Sequence, residues 1–252
     1  MAVFDSPRLG PIHYHDGLDA ELALMHREVV EEDVYLRHGV ELAPGMRVVD
    51  AGANIGLFSR HLLALVPELH IVAIEPVPST FALLRANLGE RARLHSVALG
   101  GRPGTTRLTV FPRLPTNSTL DPEAKRAELM AWIERSVERL GPARRFLEAG
   151  VRAELEPLLA AETVEVEVVP LVALVESDID LLKIDVEGAE LAVLEGAPLE
   201  RVRQVVVETS GPARATELAE RLRHAGFARV HVEQPAWADA LGVANEHVYA
   251  TR

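Results

Sequence analysis

The chain has 252 residues, 48% apolar and 25% charged, and its 38 Asp and Glu outnumber 26 Lys and Arg for a formal net charge of −12. That is the composition of a globular chain long enough to bury a sizeable core, and its excess of negative charge works against a nucleic-acid backbone or an anionic membrane as partner. Cysteine is absent, which excludes disulfides, thiolate catalysis and Cys-ligated zinc.

From the N-terminus, Met1 to Gly17 carries Asp5, Pro7, Pro11 and Asp16 and no basic start followed by an apolar run, so no leader is expected. No stretch approaches about 18 uninterrupted apolar residues. The expectation is a soluble, cytoplasmic protein. Leu22, Met25, Val29 and Val30 predict an amphipathic helix within 18–38, ended by Gly39. Residues 1–40 thus read as an arm and a covering helix, and 41–252 as the main domain. Short β-branched runs follow at 47–51, 70–75, 92–99, 179–184 and 203–207, separated by helical stretches. That alternation predicts an α/β, doubly wound fold with a mostly parallel sheet. Arg107 to Phe111 reads as a strand after a tight turn. An insertion of about 113–162 turns helical from Asp121, with Asp121 as cap, Pro122 in the first turn and a stripe of Met130, Ile133, Val137 and Leu140. A second stripe holds Val151, Leu155, Leu158 and Leu159. The pair reads either as a lid over a pocket or as a packed helical pair or subunit contact in a homo-oligomer. A helix over 212–225, a strand at 229–232, a loop and a strand at 246–250 complete the chain.

The most informative stretch is Val48-Val49-Asp50-Ala51-Gly52-Ala53-Asn54-Ile55-Gly56. Gly52 removes a Cβ at a strand-to-helix turn, and Gly56 allows close helix packing. A dinucleotide fingerprint needs glycine where Asn54 stands. Asp50 is badly placed beside a diphosphate and suits an ammonium or a sulfonium. Nineteen residues after Gly56 the next strand ends in Glu75-Pro76, where a carboxylate can accept both hydroxyls of a ribose. Together these residues specify an adenosine-containing cofactor without a pyrophosphate, and S-adenosylmethionine meets them. The cofactor set is Asp50, Gly52, Asn54, Gly56, Glu75 and Pro76.

The ordered strings VVDAGANIG, AIEPVPSTFALLRAN, VALG, IDLLKIDVEGAELAVLEGA and VVVE, from about Arg47 to Glu208, resemble the FkbM-type S-adenosylmethionine-dependent methyltransferases. The resemblance implies a class I methyltransferase sheet of seven strands in the order 3-2-1-4-5-7-6, the seventh antiparallel. It further implies methyl transfer to a hydroxyl of a sugar, polyketide or other natural product. The N-terminal segment and the insertion lie outside these motifs, so the acceptor's identity does not carry over.

Asp185 closes the fourth strand and is expected to serve both cofactor and chemistry. The family's strand order would bring Glu208 about 5 Å away on the next strand. Glu187 is either a third acid of the site or a first-turn acid stabilising a helix dipole. Glu190 reads as a local hydrogen bond or ion pair. Asp185, Glu187 and Glu208 offer three oxygens to Mg²⁺, yet nothing in their spacing demands a metal. His13 and His15 flank Tyr14 in an arm that either folds over the pocket or stays exposed, and Asn117 is a candidate polar contact for substrate. His95 and His247 read as structural strand residues. Rival functions are an NAD-dependent oxidoreductase, weakened by Asn54 and Asp50, and a non-catalytic nucleoside-binding module. A nucleic-acid methyltransferase would show an N-P-P-Y type loop in place of Asp185-Val186-Glu187-Gly188. The favoured reading is an O-methyltransferase acting on a hydroxylated small molecule.

Overall fold

The computed structural model describes residues 1–235 and 245–252. Seven strands form the central sheet: β3 (Arg47–Ala51), β4 (His70–Ile74), β5 (Ala92–His95), β9 (Leu181–Ile184), β10 (Gln204–Thr209), β11 (Arg229–Glu233) and β12 (Glu246–Thr251). Their order is β5-β4-β3-β9-β10-β12-β11. All neighbours are parallel except β12, which runs antiparallel to β10 and β11. This is the class I methyltransferase order. Because side chains alternate along a strand, Val48 and Val206 face one core while Val49, Val205 and Val207 face the other. Burial on both faces explains the nearly continuous apolar runs.

Helices α2 (Leu57–Leu65) and α3 (Pro78–Leu88) cover the first face through Phe58, Leu62 and Leu84. Helices α6 (Glu190–Glu195) and α7 (Pro212–His224) cover the second through Val193, Leu218 and Leu222. Pro78 and Pro212 begin their helices, where a missing N–H costs nothing. No helix among the described residues is long and apolar enough to cross a membrane.

Three sequence expectations need correction. The arm is a β-hairpin, β1 (Ala2–Ser6) with β2 (Gly10–Tyr14), pinned to α3 by two bonds between Asn87 and the His13 backbone. The covering helix is α1 (Asp19–His26), continued by a π-helical turn (Arg27–Glu31) that widens the coil and swings Glu28 and Val29 inward. Strand 92–99 is broken after His95. Ala98 and Leu99 leave the main sheet as β6 and pair with Val168 and Val169 of an unforeseen strand, β8 (Glu162–Val169), which also pairs with β7 (Gly104–Val110). The insertion is helical as expected: it holds α4 (Pro122–Glu138), capped by Asp121 accepting from the Ala124 N–H at 3.1 Å, and α5 (Arg144–Leu155). Only α4 is anchored, through Leu129, Ile133 and Val137; no residue of α5 is buried, and Phe146 and Leu147 are exposed. The loop expected between 232 and 246, with Trp237, falls mostly outside the described residues.

Candidate active site

The carboxyl ends of β3, β4, β9 and β10 open into a cavity of about 290 Å³. Ligands of doubly wound sheets bind at this end. Its apolar lining includes Ile74, Val77, Ala98, Leu99 and Leu108. The polar lining includes Glu28, Tyr35, Lys183, Asp185, Glu187 and Glu208.

After β3 the chain turns through Gly52 (φ +75°), Asn54 (φ +49°) and Gly56 (φ +85°). Asn54 tolerates the left-handed region, and its Oδ1 accepts the Ile55 N–H at 2.7 Å. The reason for Gly52 differs from the expected one. A Cβ there would stand 1.7 Å from the carbonyl oxygen of Asp185, so the glycine admits the neighbouring loop, while Gly52 also lines the cavity. At Gly56 a Cβ would meet Leu84 of α3 at 2.8 Å. Gly52→Ala is therefore expected to cost about 2–4 kcal/mol, combining overpacking with a left-handed alanine. Urea denaturation checks this, and an unchanged midpoint contradicts it.

Glu75 lines the cavity although it is only 6% exposed. Its Oε2 accepts the Asn54 N–H at 3.1 Å and its Oε1 the Val77 N–H at 2.8 Å. Each oxygen keeps a further lone pair. Burial raises its pKa to about 7 against the opposing pull of those two N–H groups. Pro76 lines the cavity beside it.

Asp50 requires a correction. It is fully buried and absent from the cavity wall. Its Oδ2 accepts from Ser59 Oγ at 2.7 Å and its Oδ1 lies 3.3 Å from Lys183 Nζ. The cation it meets belongs to the chain and not to a cofactor.

Lys183 also donates to the Gly52 carbonyl at 2.8 Å and lies 3.2 Å from Asp185 Oδ2. Burial works against its charge, but Asp185 and Asp50 outweigh it and hold the ammonium above its usual range. Burial raises Asp185 to about 6; Lys183 opposes this and Glu208 adds to it. Since β9 and β10 are adjacent, Asp185 and Glu208 share one rim, and Tyr35 spans them: its hydroxyl donates to Glu208 Oε2 and sits 3.4 Å from Asp185 Oδ2. For Glu208, burial is outweighed by the His247 imidazole and the bonds from Tyr35 and Asn245, which hold it at about 2. Glu187 (φ +51°) is paired 2.7 Å from Lys125 of α4. Burial nonetheless pushes it to about 8. Glu190 also lines the cavity, and its carboxylate accepts the Gly188 N–H at 2.6 Å and faces Arg214 at 3.4 Å.

The three residues expected to touch substrate part company. Asn117 lines the cavity. His13 is held in the hairpin, while His15 meets Thr80 Oγ1 at 3.2 Å and lines a small adjoining crevice. Five residues of the cavity region escaped the sequence reading: Glu28, Tyr35, Lys125, Lys183 and His247. Glu28 and Tyr35 lie before the first motif, and His247 had been assigned to structure alone. A signal for the lysines existed. They are the only two in the chain, and both sit at this cavity.

The Methyltransferase FkbM domain matches residues 50–228. The chain belongs to this family. It is 36% identical over 236 residues to the 31-O-demethyl-FK506 methyltransferase FkbM of Streptomyces tacrolimicus, covering 86% of each protein. It is 36% identical over 231 residues to methyltransferase sdnD of Sordaria araneosa, covering 84% of this chain and 85% of that one. A segment of the AMB antimetabolite synthetase AmbE of Pseudomonas aeruginosa is 33% identical over 252 residues, covering 92% of this chain and 12% of that synthetase. As an FkbM-family methyltransferase on the class I sheet, the protein uses the fold of S-adenosylmethionine-dependent enzymes, and the oxidoreductase reading falls away. Its residues fit that cofactor: a braced carboxylate with free lone pairs faces an apolar slot, and no glycine-rich phosphate cradle accompanies it.

Proposed function

We propose that this FkbM-family methyltransferase is an O-methyltransferase that transfers the methyl of S-adenosylmethionine to a hydroxyl of a small natural product. The observation that carries the reading is one cavity lined by both Glu75, a ribose acceptor, and the acid rim of Asp185, Glu187 and Glu208. The name of the Streptomyces relative, an enzyme for an O-demethylated compound, supports it.

When bound, the cofactor supplies a methyl on a sulfonium, an activated donor. Positioning therefore dominates: in-line placement contributes about 7–11 kcal/mol and a base about 3–5 kcal/mol. Glu75 holds the ribose hydroxyls. Asp185 orients the acceptor hydroxyl and takes its proton, Glu208 and Tyr35 fix Asp185 in place, and Asn117 contacts the acceptor. Lys125 holds Glu187 and closes the cavity from the insertion.

Glu75→Ala is expected to weaken cofactor binding by at least about 1–3 kcal/mol, the cost of leaving ribose hydroxyls unpaired. With the group near 7, affinity is expected to rise up to about tenfold from pH 6 to pH 8 as the carboxylate forms. Stability runs the other way. The folded protein keeps this proton to higher pH than the unfolded chain, so the contribution is complete below the ordinary carboxyl range and lost as pH rises through about 7. Calorimetry at several pH values checks the affinity, and a flat profile with an unaffected variant contradicts the assignment. The function is tested by titrating S-adenosylmethionine, its demethylated product and NAD, then screening hydroxylated metabolites for the mass of an added methyl. Binding of NAD alone overturns the reading, as does cofactor binding without turnover on any hydroxylated compound.

A further inference from the structure

Of the three carboxylates that offer oxygens to Mg²⁺, two are otherwise engaged: Asp185 is paired with Lys183 and Glu187 with Lys125. A different group converges beside them. One ligating atom each from Glu28, Glu208 and His247 lies within 4.8 Å of the others, brought from the π-helical turn, the end of β10 and the start of β12. His247 is fully buried, and neither ring nitrogen has a hydrogen-bond partner. Its Nε2 stands 3.3 Å from Glu208 Oε2 without the alignment of a hydrogen bond. Oε1 of Glu28, 9% exposed, is likewise buried and unpartnered. Among the described residues, no Lys or Arg forms an ion pair with Glu28 or Glu208. Orphaned polar atoms of Glu28 and His247, on two separate elements and beside the Glu208 carboxylate, are costly unless something binds there.

We propose that Glu28, Glu208 and His247 form a binding site for one divalent first-row transition ion on the acceptor side of the cavity. One imidazole nitrogen with two carboxylates suits Mn²⁺, Fe²⁺ or Zn²⁺ better than the all-oxygen preference of Mg²⁺ or Ca²⁺. Tyr35 and Asn245, which donate to Oε2 and Oε1 of Glu208, are the outer bonds that orient a ligating carboxylate. Glu28 and Glu208 line the cavity, so the ion keeps an open side toward a hydroxyl acceptor. This last role rests on the O-methyltransferase reading; binding of the ion does not.

A second group, His38, His231 and Glu233, could also hold an ion. It is more exposed, and Glu233 already pairs with Arg37 and His38. The test is therefore made on the full chain carrying His231→Ala and stripped of metal. Titration with Mn²⁺ is expected to give one ion per chain, with a spin-echo signature of a directly bound imidazole nitrogen. Glu28→Gln, at the cavity face, is expected to weaken binding at least about tenfold. His247→Gln is expected to abolish the nitrogen signature, and circular dichroism establishes that each variant is folded. Absence of binding, binding indifferent to Glu28→Gln, or an ion without the nitrogen signature overturns the site. Titration of S-adenosylmethionine into the same stripped protein is read separately: a chain that binds the cofactor and no ion refutes the metal site and leaves the methyltransferase reading intact.

Discussion

Lys183→Met is expected to destabilise the protein by about 3–5 kcal/mol, because it strands a carboxylate in the core. Asp50 is fully buried, Ser59 satisfies one of its oxygens, and the other has only the ammonium of Lys183 at 3.3 Å. Removing that ammonium leaves a buried carboxylate with no cation beside it, which stays charged or takes up a proton, at a cost in stability either way. The double variant Asp50→Asn with Lys183→Met removes the stranded charge and is expected to recover much of the loss. Urea denaturation of both variants decides it: equal unfolding midpoints for wild type and Lys183→Met would show that the pair contributes nothing. Arginine is not a substitute, since its planar fork cannot sit as a point charge between Asp50, Asp185 and the Gly52 carbonyl.

Asp185→Asn is expected to lower kcat by about 10²–10⁴ while leaving cofactor affinity nearly intact. The lesion is confined to chemistry because Lys183 keeps Asp50 and the Gly52 carbonyl as partners. Burial holds the Asp185 carboxyl near 6, with Lys183 opposing. Turnover in the wild type should therefore rise with pH through that region as the accepting carboxylate forms, and the asparagine variant should lose this step. Single-turnover rates across pH 5–8 measure both, and a variant that keeps wild-type turnover excludes Asp185 as proton acceptor.

The parts legible in the sequence were those written in local pattern. The apolar runs at 48–49 and 205–207, the glycine turn and the strand-end acids gave the sheet, its direction and the cavity's position. Glu75, Asp185 and Glu208 were visible because each stands at the carboxyl end of a strand. Asp50 was misjudged for a complementary reason: its partner Lys183 lies 133 residues away, and only sheet pairing places the two side by side. Glu28 enters through a π-helical turn that keeps ordinary helical composition, and Tyr35 through a short 3-10 turn (Val34–Leu36), so no periodicity marks them. Strand β8 alternates cleanly from Thr163 to Val168 but follows the long helical insertion, and its partners β6 and β7 are more than fifty residues earlier.

Both lysines of the chain have their ε-amines buried at the cavity, 3% and 6% exposed, in a protein whose other side-chain cations are arginine or histidine. Amine-selective reagents thus meet just the α-amino group on the open surface. Acylation beyond one adduct, counted by intact mass, becomes a direct gauge of how often the chamber opens, and protection by an added ligand becomes an assay for occupancy that needs no knowledge of the acceptor.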